Sequence, residues 1–225
     1  MGTNINQNGN EYLKEVEMKT SMMKLGVFVM MAAIVMFTLI ATASADGQKY
    51  RKTLQGEYAF TGSGACTLAP GGFNDNYTPK YAEAANMGPN FWEGVYTFNY
   101  NGKGKMETRQ CYQEGPNAMF PHSSGCLLLS WEFEYKMDGA EITFTFIPGT
   151  YYLEYIEGPN VGVIPPITPP NGVVFDKPWT GRISPDGRNL FVFYGGPFKF
   201  DLPPPPPFEV FEVICNGVHR GFKTR

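Results

Sequence analysis

The chain has 225 residues, with 18 Lys+Arg against 21 Asp+Glu and a formal net charge of −3, and neither sign forms a block. That disfavours nucleic-acid binding through a basic face. Aromatic residues make up 15% of the chain, beside 26 Gly and 19 Pro, the composition of short strands and many turns rather than of helices.

Residues 1–17 are polar and carry Glu11, Glu15 and Glu17. An export signal wants positive charge there. Lys14-Glu15-Val16-Glu17 ahead of Met18 can be encoded AAG GAG GTG GAG ATG, a purine-rich bacterial ribosome-binding site followed by a start codon. We therefore expect 1–17 to be a translated leader, or else a disordered extension, with the true start at Met18 in a bacterial source. The segment KLGVFVMMAAIVMFTLIATASA follows, residues 24–45. A lysine, an apolar run and Ala43-Ser44-Ala45 are the layout of a cleaved secretory signal over 18–45. A retained transmembrane helix is the competing reading. A span needs roughly 20 apolar residues, whereas the run from Leu25 to Ile40 is shorter and Asp46-Gly47-Gln48 follows instead of a basic stop-transfer cluster. No cysteine follows the cleavage site, so no lipid anchor is suggested. The mature protein, 46–225, is expected as one domain in the periplasm or outside the cell, without a stable membrane span.

Strand signals dominate the rest. Gly56 to Thr61 alternates and breaks at Gly62-Ser63-Gly64. Trp92 to Tyr100 carries its aromatics at one parity, and Asn101-Gly102 is a favoured hairpin turn into Lys103 to Tyr112. From Leu127 to Met137 the odd positions are apolar or aromatic, while Ser130, Glu132, Glu134 and Lys136 form a wet face. Asp138-Gly139 turns into Ala140 to Ile147. Trp179 to Ser184 and Arg188 to Tyr194 flank Pro185-Asp186-Gly187, and Phe208 to Cys215 ends the series. The predicted fold is all-β, a single antiparallel up-and-down barrel of about eight strands, with a β-sandwich as the alternative. Closure would remove the sheet edges. Three loops interrupt the rhythm: 67–90, 157–178 with Ile164-Pro165-Pro166-Ile167-Thr168-Pro169-Pro170, and 195–207 ending in Pro203 through Pro207. The proline run is expected to be a stiff polyproline II spacer.

Four cysteines in an exported chain, Cys66, Cys111, Cys126 and Cys215, read as disulfides of one of three connectivities. None forms a C-x-x-C pair, so zinc, redox and haem chemistry are unsupported. In an up-and-down barrel Cys111 and Cys126 end and begin consecutive strands near one rim, which predicts Cys111–Cys126 and Cys66–Cys215.

Catalytic signals are thin. His122 and His219 lie in separate loop-like contexts and are read as surface residues. Ser123, Ser124 and Ser130 lack a nucleophile-elbow motif. Glu132 and Glu134 stand about 7 Å apart by strand rise, near glycosidase spacing, on what reads as a solvated face. No metal motif or phosphate loop is present, and no cofactor is predicted. The remaining feature is the aromatic set Tyr58, Phe60, Trp92, Tyr96, Phe98, Trp131, Phe133, Tyr135 and Trp179. It reads first as a packed core and second as the lining of a cavity for one small apolar ligand.

Gly56-Glu57-Tyr58, opening the first strand of an eight-strand meander, resembles the G-x-W that opens lipocalin-type (calycin-type) barrels, with tyrosine replacing tryptophan. The resemblance implies an exported, non-catalytic carrier of a small hydrophobic molecule. The rival readings are a structural or surface-interaction protein working through its Pro/Gly-rich loops, a small-barrel isomerase or cyclase, and an outer-membrane barrel. The last needs an unbroken lipid-facing apolar band, which the charged residues on many strands oppose. Terminal sequencing of the exported protein is expected to begin at Asp46; a product that still contains Leu25–Ile40 would show the segment to be a retained anchor.

Overall fold

A computed structural model describes residues 50–113, 124–193, 198–202 and 209–224; the leader and signal readings, His122, Ser123 and Pro203–Pro207 lie outside them. The all-β expectation holds. The strands are β1 (Gly56–Pro70), β2 (Asn86–Phe98), β3 (Lys103–Gln113), β4 (Ser124–Asp138), β5 (Glu141–Phe146), β6 (Tyr152–Glu157), β7 (Trp179–Ile183), β8 (Asn189–Phe193), β9 (Phe198–Leu202) and β10 (Phe211–Lys223). All pair antiparallel in the path β1-β2-β3-β4-β5-β7-β8-β10, and β1 pairs β10 to close a ring.

The ring departs from the predicted plain meander. Two strands absent from the sequence reading, β6 and β9, continue the courses of β5 and β8. β4 pairs β5 from Phe133 to Asp138 and β6 from Cys126 to Ser130. β10 pairs β8 from Val218 to Phe222 and β9 from Phe211 to Cys215. Between β5 and β6, residues 147–151 swing out of register. Thr150 bridges the swing, its hydroxyl accepting from Glu132 N (3.0 Å) and donating to Ile147 O (2.7 Å). β7 has no such continuation. Where its upper half would run, segment 158–178 pairs Ile167 with Leu153 of β6 and Asp176 with Lys199 of β9. An irregular segment therefore stands in one pass of the ring, and the ring is not a regular barrel.

Other strand limits also move. β1 does not break at Gly62-Ser63-Gly64 but runs on to Pro70, and β10 runs past Cys215 to Lys223. Gly62 sits directly between Trp92 of β2 and His219 of β10. A Cβ there would lie 2.2 Å from His219 Cδ2. Glycine is required because the two large rings meet over it, and the continuous ladder on both sides overrides its poor strand propensity. Gly104 plays the same part under Phe133, whose ring would be 2.5 Å from a Cβ.

Alternation sorts the side chains by face. The inward set is apolar: Tyr58 and Phe60 of β1, Tyr96 and Phe98 of β2, Leu129, Trp131, Phe133 and Tyr135 of β4, and Leu190 and Val192 of β8 are all buried. The outward face is charged and laced with ion pairs. Arg109 of β3 reaches Glu93 of β2 (3.2 Å) and Glu157 of β6 (2.6 Å), and Arg182 reaches Glu141 (3.1 Å). Such exposed pairs contribute little, about 0–1 kcal/mol each. An apolar inside with a charged outside reverses the pattern of a membrane barrel.

The two ends differ. At one, β2–β3, β4–β5 and β7–β8 are joined by short turns, with Gly102, Gly139 and Gly187 at positive φ. A helical turn over 50–54 covers this end: Leu54 is fully buried, Tyr58 Oη donates to Gly187 O (2.7 Å), and Lys223 Nζ donates to Thr53 O (2.7 Å). At the other, β1–β2, β3–β4, β6–β7 and β9–β10 are joined by the long connections.

Both disulfides lie toward this second end and match the predicted pairing: Cys66–Cys215 and Cys111–Cys126, each with Cα atoms 4.1 Å apart. Each joins directly opposed residues of neighbouring strands. Parity puts them on opposite faces: Cys66 shares the inward parity of Tyr58 and Phe60, while Cys126 alternates with inward Leu127. Two disulfides suggest an oxidising, extracytoplasmic compartment. Cys66–Cys215 spans 149 residues and Cys111–Cys126 spans 15. On the chain-entropy account, the double serine variant at 66 and 215 should lose about 5 kcal/mol and that at 111 and 126 about 3 kcal/mol. Denaturant melts compare them; equal losses would mean that local strain, not loop closure, sets the contribution.

Candidate functional site

The nine aromatic residues singled out in the sequence all point into the ring and are buried, Tyr58 and Phe133 completely. They touch one another rather than a void. Phe60 meets Tyr96 at 4.6 Å between centroids, Tyr58 meets Phe98 at 5.6 Å, Phe98 meets Phe133 and Tyr135 at 5.5 and 5.3 Å, and Trp131 meets Trp179 at 5.6 Å. Most of these contacts are edge-to-face or tilted, the arrangement that adds about 0.5–1.5 kcal/mol per pair beyond burial.

His219 corrects the sequence reading most sharply. Expected at the surface, it is wholly buried inside the ring. Its ring stacks on Phe60 at 4.5 Å, lies edge-on to Trp92 at 5.3 Å, and is within hydrogen-bond distance of Tyr96, Oη to Nδ1 2.6 Å. Burial lowers its pKa to about 3 and pushes that of Tyr96 well above the usual phenol value, so both are neutral near pH 7. The parity of Phe211, Val213, Cys215 and His219, carried past Gly217, was the signal that could have found it.

The residues considered for catalysis do not converge. Glu132 and Glu134 are exposed on the outer face, Glu134 near Lys103 (3.8 Å). Ser130 shares their outward parity on β4, and Ser124 is exposed at the strand's start. The wall of the ring stands between these residues and His219. Among the described residues no group of three His, Cys, Asp or Glu is placed to hold a metal ion.

What the fold does assemble is a cavity of about 60 Å³ opening at the disulfide end. Cys66, Leu68, Leu127, Leu153 and Val213 supply apolar walls, and Tyr112, Tyr151 and Tyr155 supply rings. Two amides line it as well: Gln110 Nε2 donates to Asn90 Oδ1 (2.8 Å), and Asn90 Nδ2 donates to Gly88 O (3.2 Å). That bonding satisfies Asn90, which is buried. Asn160 Nδ2 donates to Tyr112 Oη (3.4 Å), bringing segment 158–178 against the cavity's edge. Burial pushes the Tyr151 hydroxyl far above its ordinary pKa. Sequence reasoning missed Gln110, Tyr112, Tyr151, Leu153 and Tyr155 as a group, because β6 was hidden inside a stretch read as flanking a loop.

No protein-family model and no curated protein matches the chain.

His219 generates a pH prediction. Its folded pKa lies below the unfolded value of 6.5, so between about pH 6.5 and pH 3 the unfolded chain binds a proton that the folded chain does not. Stability should be at its full value above pH 6.5 and fall as pH drops, by about 1.4 kcal/mol per unit and about 4 kcal/mol by pH 3. Melts across this range should show a smaller fall in His219→Gln; an unchanged slope would assign the acid sensitivity to other groups.

Proposed function

We propose that the chain is an exported binding protein, working in the periplasm or outside the cell, which recognises its target at the disulfide end and performs no catalysis. The asymmetry of the ring carries this reading. One end is closed by short turns and the 50–54 helical turn, while at the other lies an apolar cavity with segment 158–178 against its edge. Loops on a rigid scaffold are where binding surfaces are built, and the interior disulfide stiffens the scaffold at that end.

The target on this reading is a small apolar molecule or the apolar end of a larger one. The cavity is far below the roughly 300 Å³ of an ordinary ligand pocket. Its volume of about 60 Å³ suits a few heavy atoms, so the bound group inserts only its tip, with the Gln110–Asn90 amides at hand for a polar neighbour. Segment 158–178, at the cavity's edge, holds the remainder. The lipocalin-type resemblance belongs to this proposal: Gly56-Glu57-Tyr58 opens β1 at the closed end, where Tyr58 is bonded to Gly187. The packing of the nine aromatics favours, as a second reading, a surface-interaction protein using the loops alone.

Native mass spectrometry of protein purified from its own host separates the two. A retained small molecule, reduced when Leu127→Phe fills the cavity, is the expected result. A bare protein whose surface binding is indifferent to Leu127→Phe would overturn the small-ligand reading in favour of the loops.

A further inference from the structure

Where β7 stops short, the core is completed from the side. Val173 and Phe175 belong to the irregular segment between β6 and β7, yet both pack against the core cluster. Phe175 enters a cage of four rings: Phe146 at 4.3 Å between centroids, Trp131 at 5.6 Å, and Tyr151 and Trp179 at 6.1 Å. Trp131, Tyr151 and Trp179 are buried, but Phe175 is only partly so. The segment is tied to its neighbours by the Leu153–Ile167 backbone pair, by Asn171 Nδ2 donating to Tyr151 O, and by Asp176 with Lys199. These are local polar ties rather than a continuous ladder.

A second observation concerns the cage itself. Trp131 stacks on Tyr151 (5.7 Å, 19° between planes), and its Nε1 is buried with no acceptor among the described residues. Buried N–H groups almost always have a partner, and leaving one without is unfavourable. Phe175 fills the cage by shape but brings no acceptor.

We infer that the Trp131, Phe146, Tyr151 and Trp179 cage is a ligand site, that Phe175 occupies it as an internal stand-in, and that the ligand is a flat aromatic ring bearing a hydrogen-bond acceptor for Trp131 Nε1. Exchanging one ring for another preserves the apolar contacts, so the acceptor is what favours the ligand over Phe175. The inference rests on the binding reading above but concerns the aromatic cage beside the irregular segment rather than the cavity at the disulfide end; Tyr151 belongs to both.

Titration of ¹⁵N-labelled protein with quinoline and with naphthalene, its acceptor-free counterpart, tests it. Quinoline is expected to move the Trp131 indole N–H resonance and to bind about tenfold tighter than naphthalene. Trp131→Phe, which keeps a ring but lacks the N–H, should abolish that preference. Phe175→Ala should tighten quinoline binding about tenfold by removing the competitor. Equal binding of the two probes with the Trp131 resonance unmoved, or no binding to wild type and Phe175→Ala alike, overturns the inference. Should Phe175→Ala fail to fold, the wild-type titration and Trp131→Phe decide. A wild type that retains a host-derived molecule yet ignores quinoline overturns the cage and leaves the disulfide-end reading standing.

Discussion

The ladder between β1 and β10 is the constraint on which the rest depends. It runs from Tyr58↔Lys223 to Pro70↔Phe211 and turns a long antiparallel sheet into a ring. Once the ring is closed, every strand has an outward face and an inward face whose large side chains are buried. The inward positions must then be filled, and aromatic residues fill them. Large rings on neighbouring strands find room where the strand between them carries no side chain, so Gly62 stands between Trp92 and His219. The Cys66–Cys215 bridge lies within the same ladder and locks the closure covalently.

A closed ring with a filled interior has little room to bind by enclosing. On the binding reading proposed above, recognition falls to places where the sheet is incomplete. One is the end where strands give way to long connections, leaving the small cavity beside Gln110 and Asn90. The other is the unfinished seventh pass, where Phe175 takes the place of a wall residue. The two differ in how they are held: the cavity's walls belong to continuous ladders, whereas segment 158–178 is tied by isolated hydrogen bonds and belongs to the low-stability end of the structure. The same economy explains His219. Buried among rings and beside Tyr96, it is held neutral by desolvation and serves packing.

Parts of this were legible in the sequence because they follow from period two. Leu127, Leu129, Trp131, Phe133 and Tyr135 against Ser130, Glu132 and Glu134 could face only one way. The turns at Asp138-Gly139 and Pro185-Asp186-Gly187 follow from backbone freedom at glycine, confirmed by positive φ at Gly139 and Gly187. The Cys111–Cys126 pairing was legible too, because alternating strand direction puts the end of one strand and the start of the next at one rim; Cys66–Cys215 was the pair that remained. The failures have a common cause. Gly62-Ser63-Gly64 looks like a strand breaker and Gly217-Val218-His219-Arg220 like a loop, so β1 and β10 read short and His219 reads as a surface residue. β6 and β9 were missed because each is five or six residues long and follows a departure from register. Local propensity could not anticipate that partners on both sides would hold these segments extended.

From residue order alone came the strand character, the inward faces, the disulfide partners and the case for export, since each depends on local pattern or on the chemistry of single residues. Tertiary structure alone decided that the inward aromatics pack against each other instead of lining a hollow, that His219 sits at their centre, that one disulfide faces in and the other out, and that the seventh pass is completed by Phe175. These depend on which residues meet across the ring, a matter of closure and register between segments as far apart as β1 and β10, which no local pattern encodes.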